Sequence, residues 1–114
     1  MRKIERDMNR AIRAGRNFSN SNTTVQTTSF LNSQDVYCEE SRVFLHGNHI
    51  ATVTRNSNIL FDGGWQSNTT KSRLNALLDA FSYGMRVFQK NWEWFVGYKN
   101  VKEDFVNGME LAID

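Results

Sequence analysis

Leu74, Leu77, Leu78 and Phe81 recur at i, i+3, i+4 and i+7 behind Ser67-Asn68-Thr69-Thr70, a run of helix-capping residues, and Gly84 follows them. This is one face of a 3.6-residue period with a start signal before it and a stop after it, and it predicts a helix over about 70–83. The helix stands between two stretches that read as strands, and that arrangement constrains the fold most. Upstream, residues 23–29 (TTVQTTS) are β-branched and lack helix formers. Residues 42–46 (RVFLH) and 49–54 (HIATVT) flank Gly47-Asn48, a two-residue hairpin signal. That register sets His46 opposite His49, Leu45 opposite Ile50, Phe44 opposite Ala51 and Val43 opposite Thr52, and it puts Val43, Leu45 and Ile50 on a core face. Residues 36–38 open a strand, and Asn56-Ser57-Asn58 turns the chain into residues 59–61. Downstream, residues 87–96 (VFQKNWEWFV) are aromatic and β-branched, with Lys90-Asn91 as the turn. Trp92, Trp94, Val96 and Tyr98 alternate there onto one face. Residues 105–113, with Asn107-Gly108, end the chain in a further short strand.

A second helix opens the chain. Ile4, Met8, Ala11 and Ile12 form one stripe, arginines fill the opposite face, and Gly15 suits the stop, so a helix is expected over about 2–14. Residues 16–22 read as a polar loop anchored by Phe18, and residues 30–35 show no period. The order α-β-β-β-β-α-β-β-β makes an α+β fold, an antiparallel sheet with both helices packed on one face. With 114 residues and no repeat or linker, residues 1–114 read as a single domain. Proline is absent, so the turns fall to 13 Asn and 7 Gly.

Composition excludes several classes. Hydrophobic residues at 39% and aromatics at 12% are too many for a disordered chain. No run approaches the ~18 apolar residues a spanning helix needs. A lone cysteine, Cys38, gives no internal disulfide and no argument for secretion. The expectation is a soluble intracellular domain.

Charge is uneven. Arg2, Lys3, Arg6, Arg10, Arg13 and Arg16 face only Glu5 and Asp7 over residues 1–16, a balance of +4 in a chain whose net charge is +2. A basic helix face neutralises phosphates without reading sequence, so Arg6, Arg10, Arg13 and Arg16 are candidate nucleic-acid contacts. The alternative is a solubilising outer face, with Glu5 and Asp7 diluting the charge. Trp65 and Trp92 are candidate partner anchors, while Trp94 reads as core. Cys38, His46 and His49, near Glu39 and Glu40, are the only Cys and His residues, and they lack the paired spacings of a closed zinc site, so no metal or other cofactor is expected. No nucleophile signature occurs, and Glu39-Glu40 and Glu103-Asp104 read as solvated pairs, so no enzyme activity is expected. Lys71 and Arg73 follow Asp62-Gly63-Gly64 at a helix start that could hold an anion, but the phosphate-loop pattern is missing, and Thr69 or Thr70 is expected to cap those N–H groups itself.

The segments LHGNHIA, DGGWQSNTTKSRLNALL, VFQKNWEWFV and the closing FVNGMEL together resemble a set of small proteins of unassigned function encoded by tailed bacteriophages. The resemblance covers roughly residues 36–112 and the amphipathic start with its Ala-Gly-Arg-Asn-Phe turn. The chain departs from it over residues 19–41, which are rich in Asn, Ser and Thr. The resemblance carries over no catalytic residues. It implies a non-enzymatic accessory protein in the host bacterial cytoplasm that binds and inhibits host machinery, a protein or protein–nucleic acid complex such as a CRISPR or restriction system. Nucleic-acid binding by the basic helix is the alternative, and homo-oligomer assembly through an edge strand or the aromatic face is a third reading.

Overall fold

The computed structural model describes residues 1–98 and 101–113. Helix α1 (Lys3–Arg13) leads into β1 (Phe18–Asn20), β2 (Thr23–Leu31), β3 (Tyr37–Leu45), β4 (Asn48–Thr54) and β5 (Ser57–Leu60). Helix α2 (Asn68–Phe81) follows, then β6 (Met85–Lys90), β7 (Glu93–Tyr98), β8 (Val101–Asp104) and β9 (Met109–Ala112). The α+β class and both helices are as the sequence implies.

The strands divide differently from the single sheet expected. They form a six-stranded antiparallel sheet in the order β1-β2-β3-β4-β5-β9 and a three-stranded one, β6-β7-β8. Asn75 on α2 gives a local reason. Its Nδ2 donates to the Val87 carbonyl at 2.9 Å, and its Oδ1 accepts from the Val87 N–H at 2.8 Å. The outer edge of β6 is thereby satisfied by a helix side chain instead of another strand. Helix α2 touches β4 and β5 of the large sheet and β6 of the small one. Val87, Trp94 and Val96 accordingly join Val25, Val43, Leu60, Leu74, Leu77 and Leu78 in one buried cluster.

The central hairpin differs by one step. Leu45 pairs with Asn48 and Phe44 with His49, so the turn is His46-Gly47. Both residues have positive φ, 51° and 79°, as the hairpin turn matching strand twist requires. A bulge between Val43 and Phe44 then places Val43 opposite Ala51. Ile50 becomes the extra residue, and Ala51 and Val53, in place of Thr52, share Val43's core face; Val43, Leu45 and Ile50 are all buried. Three smaller corrections follow. Phe18 lies in a short strand inside the expected loop, paired with Val25. Helix α2 stops at Phe81, with Gly84 beyond it at φ 93° where the next strand begins. Its N-cap is Ser67, whose Oγ accepts from the Thr70 N–H at 3.0 Å, in place of Thr69 or Thr70.

Candidate functional site

Helix α1 is amphipathic in a strict sense. Its inner face buries Glu5, Met8, Asn9, Ala11 and Ile12. Glu5 sits there because α2 supplies a counter-charge. Arg73 Nη1 donates to Glu5 Oε2 at 2.7 Å, and the two side chains are only 4% and 3% exposed. Ser72 Oγ donates to the same oxygen at 2.6 Å, and the backbone N–H of Arg2 donates to Glu5 Oε1 at 3.3 Å. The remaining guanidinium donors reach Thr23 Oγ1 at 3.0 Å and Asn22 Oδ1 at 3.2 Å. Asn9 adds a bond from Nδ2 to the Ala76 carbonyl at 3.1 Å.

This clasp changes the electrostatics of the surface. Sequence counting set Glu5 against the arginines, but its charge is consumed inside by Arg73. Arg73 is therefore no anion ligand at the α2 start, and Lys71 lies over the Trp94 ring with its Nζ 3.4 Å from Gln89 Oε1. At 100° per residue, Arg2, Arg13, Arg6, Arg10 and Lys3 fall within an arc of about 100° on the outer face of α1. Asp7 stands at the arc's edge, paired with Lys3 at 3.0 Å. Arg6, Arg10, Arg13 and Arg16 are exposed and make no ion pair among the described residues. The Arg13 guanidinium stacks 5.3 Å from the Phe81 centroid, and Arg16 follows just past the helix end.

Helix stability accounts for only part of this stripe, since Arg10 and Arg13 in the last turn complement the helix dipole. Arg2 and Lys3 at the N-terminus oppose the helix dipole, and like charges at Arg6–Arg10 and Arg10–Arg13 repel at helical spacing.

The two candidate tryptophans are not joined to this face. Trp65 lies in the loop before α2, 75% exposed. It lines a cavity of about 370 Å³ with Leu45, Ile50 and Thr70. Trp92 lies at the β6–β7 turn, 90% exposed, with φ 68°. It does not share the face of Trp94 and Val96, which are buried, because the turn is Asn91-Trp92 and the strand resumes only at Glu93.

Sequence reading overlooked Phe30, Leu31, Val36 and Tyr37. All four are exposed at the end of the β2–β3 hairpin, with Leu31 at 66% and Tyr37 at 63%. The available signal was a pair of apolar dipeptides flanking the Asn32–Asp35 turn, where Asn32 Oδ1 accepts from the N–H groups of Gln34 and Val36. This arm overhangs a groove of about 760 Å³ floored by Ile12, Val53, Phe81 and Ile113.

Cys38, His46 and His49 do not converge. His46 occupies the turn, while His49 packs between Phe44 and Phe61 at 5.5 and 4.6 Å and lies 2.8 Å from Thr52 Oγ1. No group of three or more His, Cys, Asp or Glu side chains able to hold a metal occurs among the described residues. Burial holds the His49 pKa below its ordinary value near 6.5; the Ala51 backbone and Glu40 oppose that shift, and Arg42 adds to it. A base that stays neutral in the folded chain but protonates when unfolded contributes stability above the unfolded pKa, and that contribution is lost as pH falls. Urea midpoints should therefore drop as pH falls from about 6.5 towards 5, and His49→Gln should flatten that slope. An unchanged slope in the variant would assign the pH dependence elsewhere.

Among the described residues no helix is long and apolar enough to cross a membrane. Residues 1–112 match the family model described as Kyanoviridae Gp96 protein. The chain belongs to that family. It is a bacteriophage protein, as the resemblance implied. The bounds of the Kyanoviridae Gp96 match enclose residues 19–41, so the stretch set apart by the resemblance lies within the family's span. No curated protein and no solved structure matches the chain.

Proposed function

We propose that this member of the Kyanoviridae Gp96 family is a non-enzymatic phage accessory protein that binds host machinery handling nucleic acid, and that it inhibits a defence complex of the CRISPR or restriction type. The observation that carries this reading is the cationic face of α1, where Arg6, Arg10 and Arg13 have no ion-pair partner among the described residues while Glu5 is turned inward to Arg73 and Asp7 is taken by Lys3. Arginines on successive turns follow a phosphate backbone by charge and hydrogen bonding, without reading bases. The alternative is an accessory protein that binds nucleic acid directly through the same face. The testing experiment is a fluorescence-anisotropy titration of labelled single- and double-stranded oligonucleotides at 50 and 200 mM salt. About four neutralised phosphates correspond to roughly a hundredfold weakening across that range. A complex indifferent to salt would overturn the reading.

A second reading, contact with a protein component, is favoured by Trp92. Tight turns with positive φ at both central residues prefer Asn-Gly, yet the second position here carries a large exposed aromatic. Backbone cost at an exposed site is a mark of function more than of stability. Trp92→Gly should leave thermal stability unchanged or slightly raised and should abolish capture of a nuclease-resistant host partner from lysate. Capture that persists in the variant would remove Trp92 from the interface.

A further inference from the structure

The free edge of β2 offers a different kind of surface. Strand β1 pairs only with Thr23, Thr24 and Val25, so β2 continues from Gln26 to Leu31 with no strand on that side. The Thr27 N–H points outward, to Asn17 Oδ1 at 2.8 Å. Strand alternation then turns the N–H and C=O groups of Ser29 and Leu31 outward too, while the Asn32 N–H turns the other way, to the Val36 carbonyl. No backbone partner on this edge is recorded for Ser29 or Leu31 among the described residues.

Sheet edges are normally blunted by charge, by proline or by a covering element. The other edges are blunted by shortness, charge or a covering side chain, and β1 is only three residues long. Strand β8 carries Lys102, Glu103 and Asp104, β9 is four residues long and carries Glu110, and β6 is covered by Asn75. From Val25 to Leu31 the β2 sequence is VQTTSFL, β-branched and aromatic, without a single charge.

We infer that the β2 edge from Thr27 to Leu31 pairs antiparallel with the same edge of a second copy of this chain. The uncharged sequence is what selects a second copy. A two-fold register centred on Ser29 sets Ser29 opposite its own copy, Leu31 opposite Thr27 and Phe30 opposite Thr28. No like charges meet, and aromatic–β-branched pairs form across the seam. Asn17 limits the register at one end, because its Oδ1 already holds the Thr27 N–H and leaves only the Thr27 carbonyl for the Leu31 N–H of the copy, and the Asn32–Asp35 turn limits it at the other. In this register Arg16, beside Thr27 through its carbonyl, lies at the same end of the seam as Asp35 in the copy's turn. The pairing buries part of the apolar arm at Phe30 and Leu31, and it does not depend on the nucleic-acid reading.

The test is light scattering after size exclusion on the intact chain. At about 100 µM, where small interfaces associate, the mass should approach twice 13.2 kDa. Ser29→Lys and Ser29→Glu should each be monomeric while keeping the wild-type circular dichroism, and an equimolar mixture of the two should recover the dimer. Hydrogen exchange at the Ser29 and Leu31 amides should slow as wild-type concentration rises. A wild type that stays monomeric at this concentration would overturn the inference, as would dimers in both single variants. The Ser29 side chain is exposed, and its substitution removes only the exposed hydrogen bond that its Oγ accepts from the Tyr37 hydroxyl of β3 at 2.8 Å. Should one variant misfold, the concentration dependence of exchange in the wild type decides alone.

Discussion

Glu5→Ala is expected to lower the unfolding free energy by about 3–5 kcal/mol, because it leaves the Arg73 guanidinium buried without its counter-charge. Few single substitutions in a chain this size should cost more, since total stabilities are about 5–15 kcal/mol. The melting temperature should fall by roughly 15–25 °C. Arg73→Met strands the Glu5 carboxylate instead, and it also removes the donors to Thr23 and Asn22, so its cost should be similar. The double variant Glu5→Leu with Arg73→Met should recover much of the loss, because an apolar pair needs no compensation in a dry site. Denaturant unfolding of the two singles and the double closes the cycle. A single-variant cost below about 1 kcal/mol would mean that water reaches the pair and that the clasp is not what turns Glu5 inward.

Reversing Arg6, Arg10 and Arg13 together to Glu should weaken oligonucleotide binding by at least about a hundredfold at 50 mM salt. The fold should persist, because all three side chains are exposed and none ion-pairs among the described residues. The triple change to Gln separates charge from repulsion. It should flatten the salt dependence and weaken binding without the added penalty of negative charge facing phosphate. Because the Glu5 clasp leaves Arg6, Arg10 and Arg13 unpaired, the two predictions are linked. Disrupting Arg73 in a chain that still folds would return a carboxylate to the neighbourhood of the arginines. Binding by the Glu triple at wild-type strength would remove α1 from the interface.

Much of the fold is readable from periodicity. The 3.6-residue stripes of Ile4-Met8-Ala11-Ile12 and Leu74-Leu77-Leu78-Phe81 fix both helices, because burying such a stripe needs a helix and a surface to pack it on. Alternating β-branched and aromatic runs point to the strands that cover residues 23–29, 42–45, 49–54, 87–90 and 93–96 for the same reason. The errors fall where local pattern is silent. Gly47-Asn48 was a reasonable turn, but the bulge at Val43/Phe44 and the positive φ of His46 move the turn to His46-Gly47. Trp92 and Trp94 alternate in sequence, but the Asn91-Trp92 turn separates their environments. Phe30-Leu31 and Val36-Tyr37 flank a turn whose exposure depends on how far the arm extends past its neighbours.

Local pattern is enough for the α+β class, both helices, the cationic composition of the first and the core identity of Leu74, Leu77, Leu78 and Trp94. These follow from period and residue type, which act over a few neighbouring positions. Only the assembled fold decides that β6, β7 and β8 form their own sheet, that Glu5 leaves the surface for Arg73 across 68 positions of chain, and that β2 from Gln26 to Leu31 has no strand on its outer side. Each of these depends on which distant group arrives to satisfy a charge or a backbone donor, and a buried carboxylate or an open strand edge has no meaning until that partner has been placed.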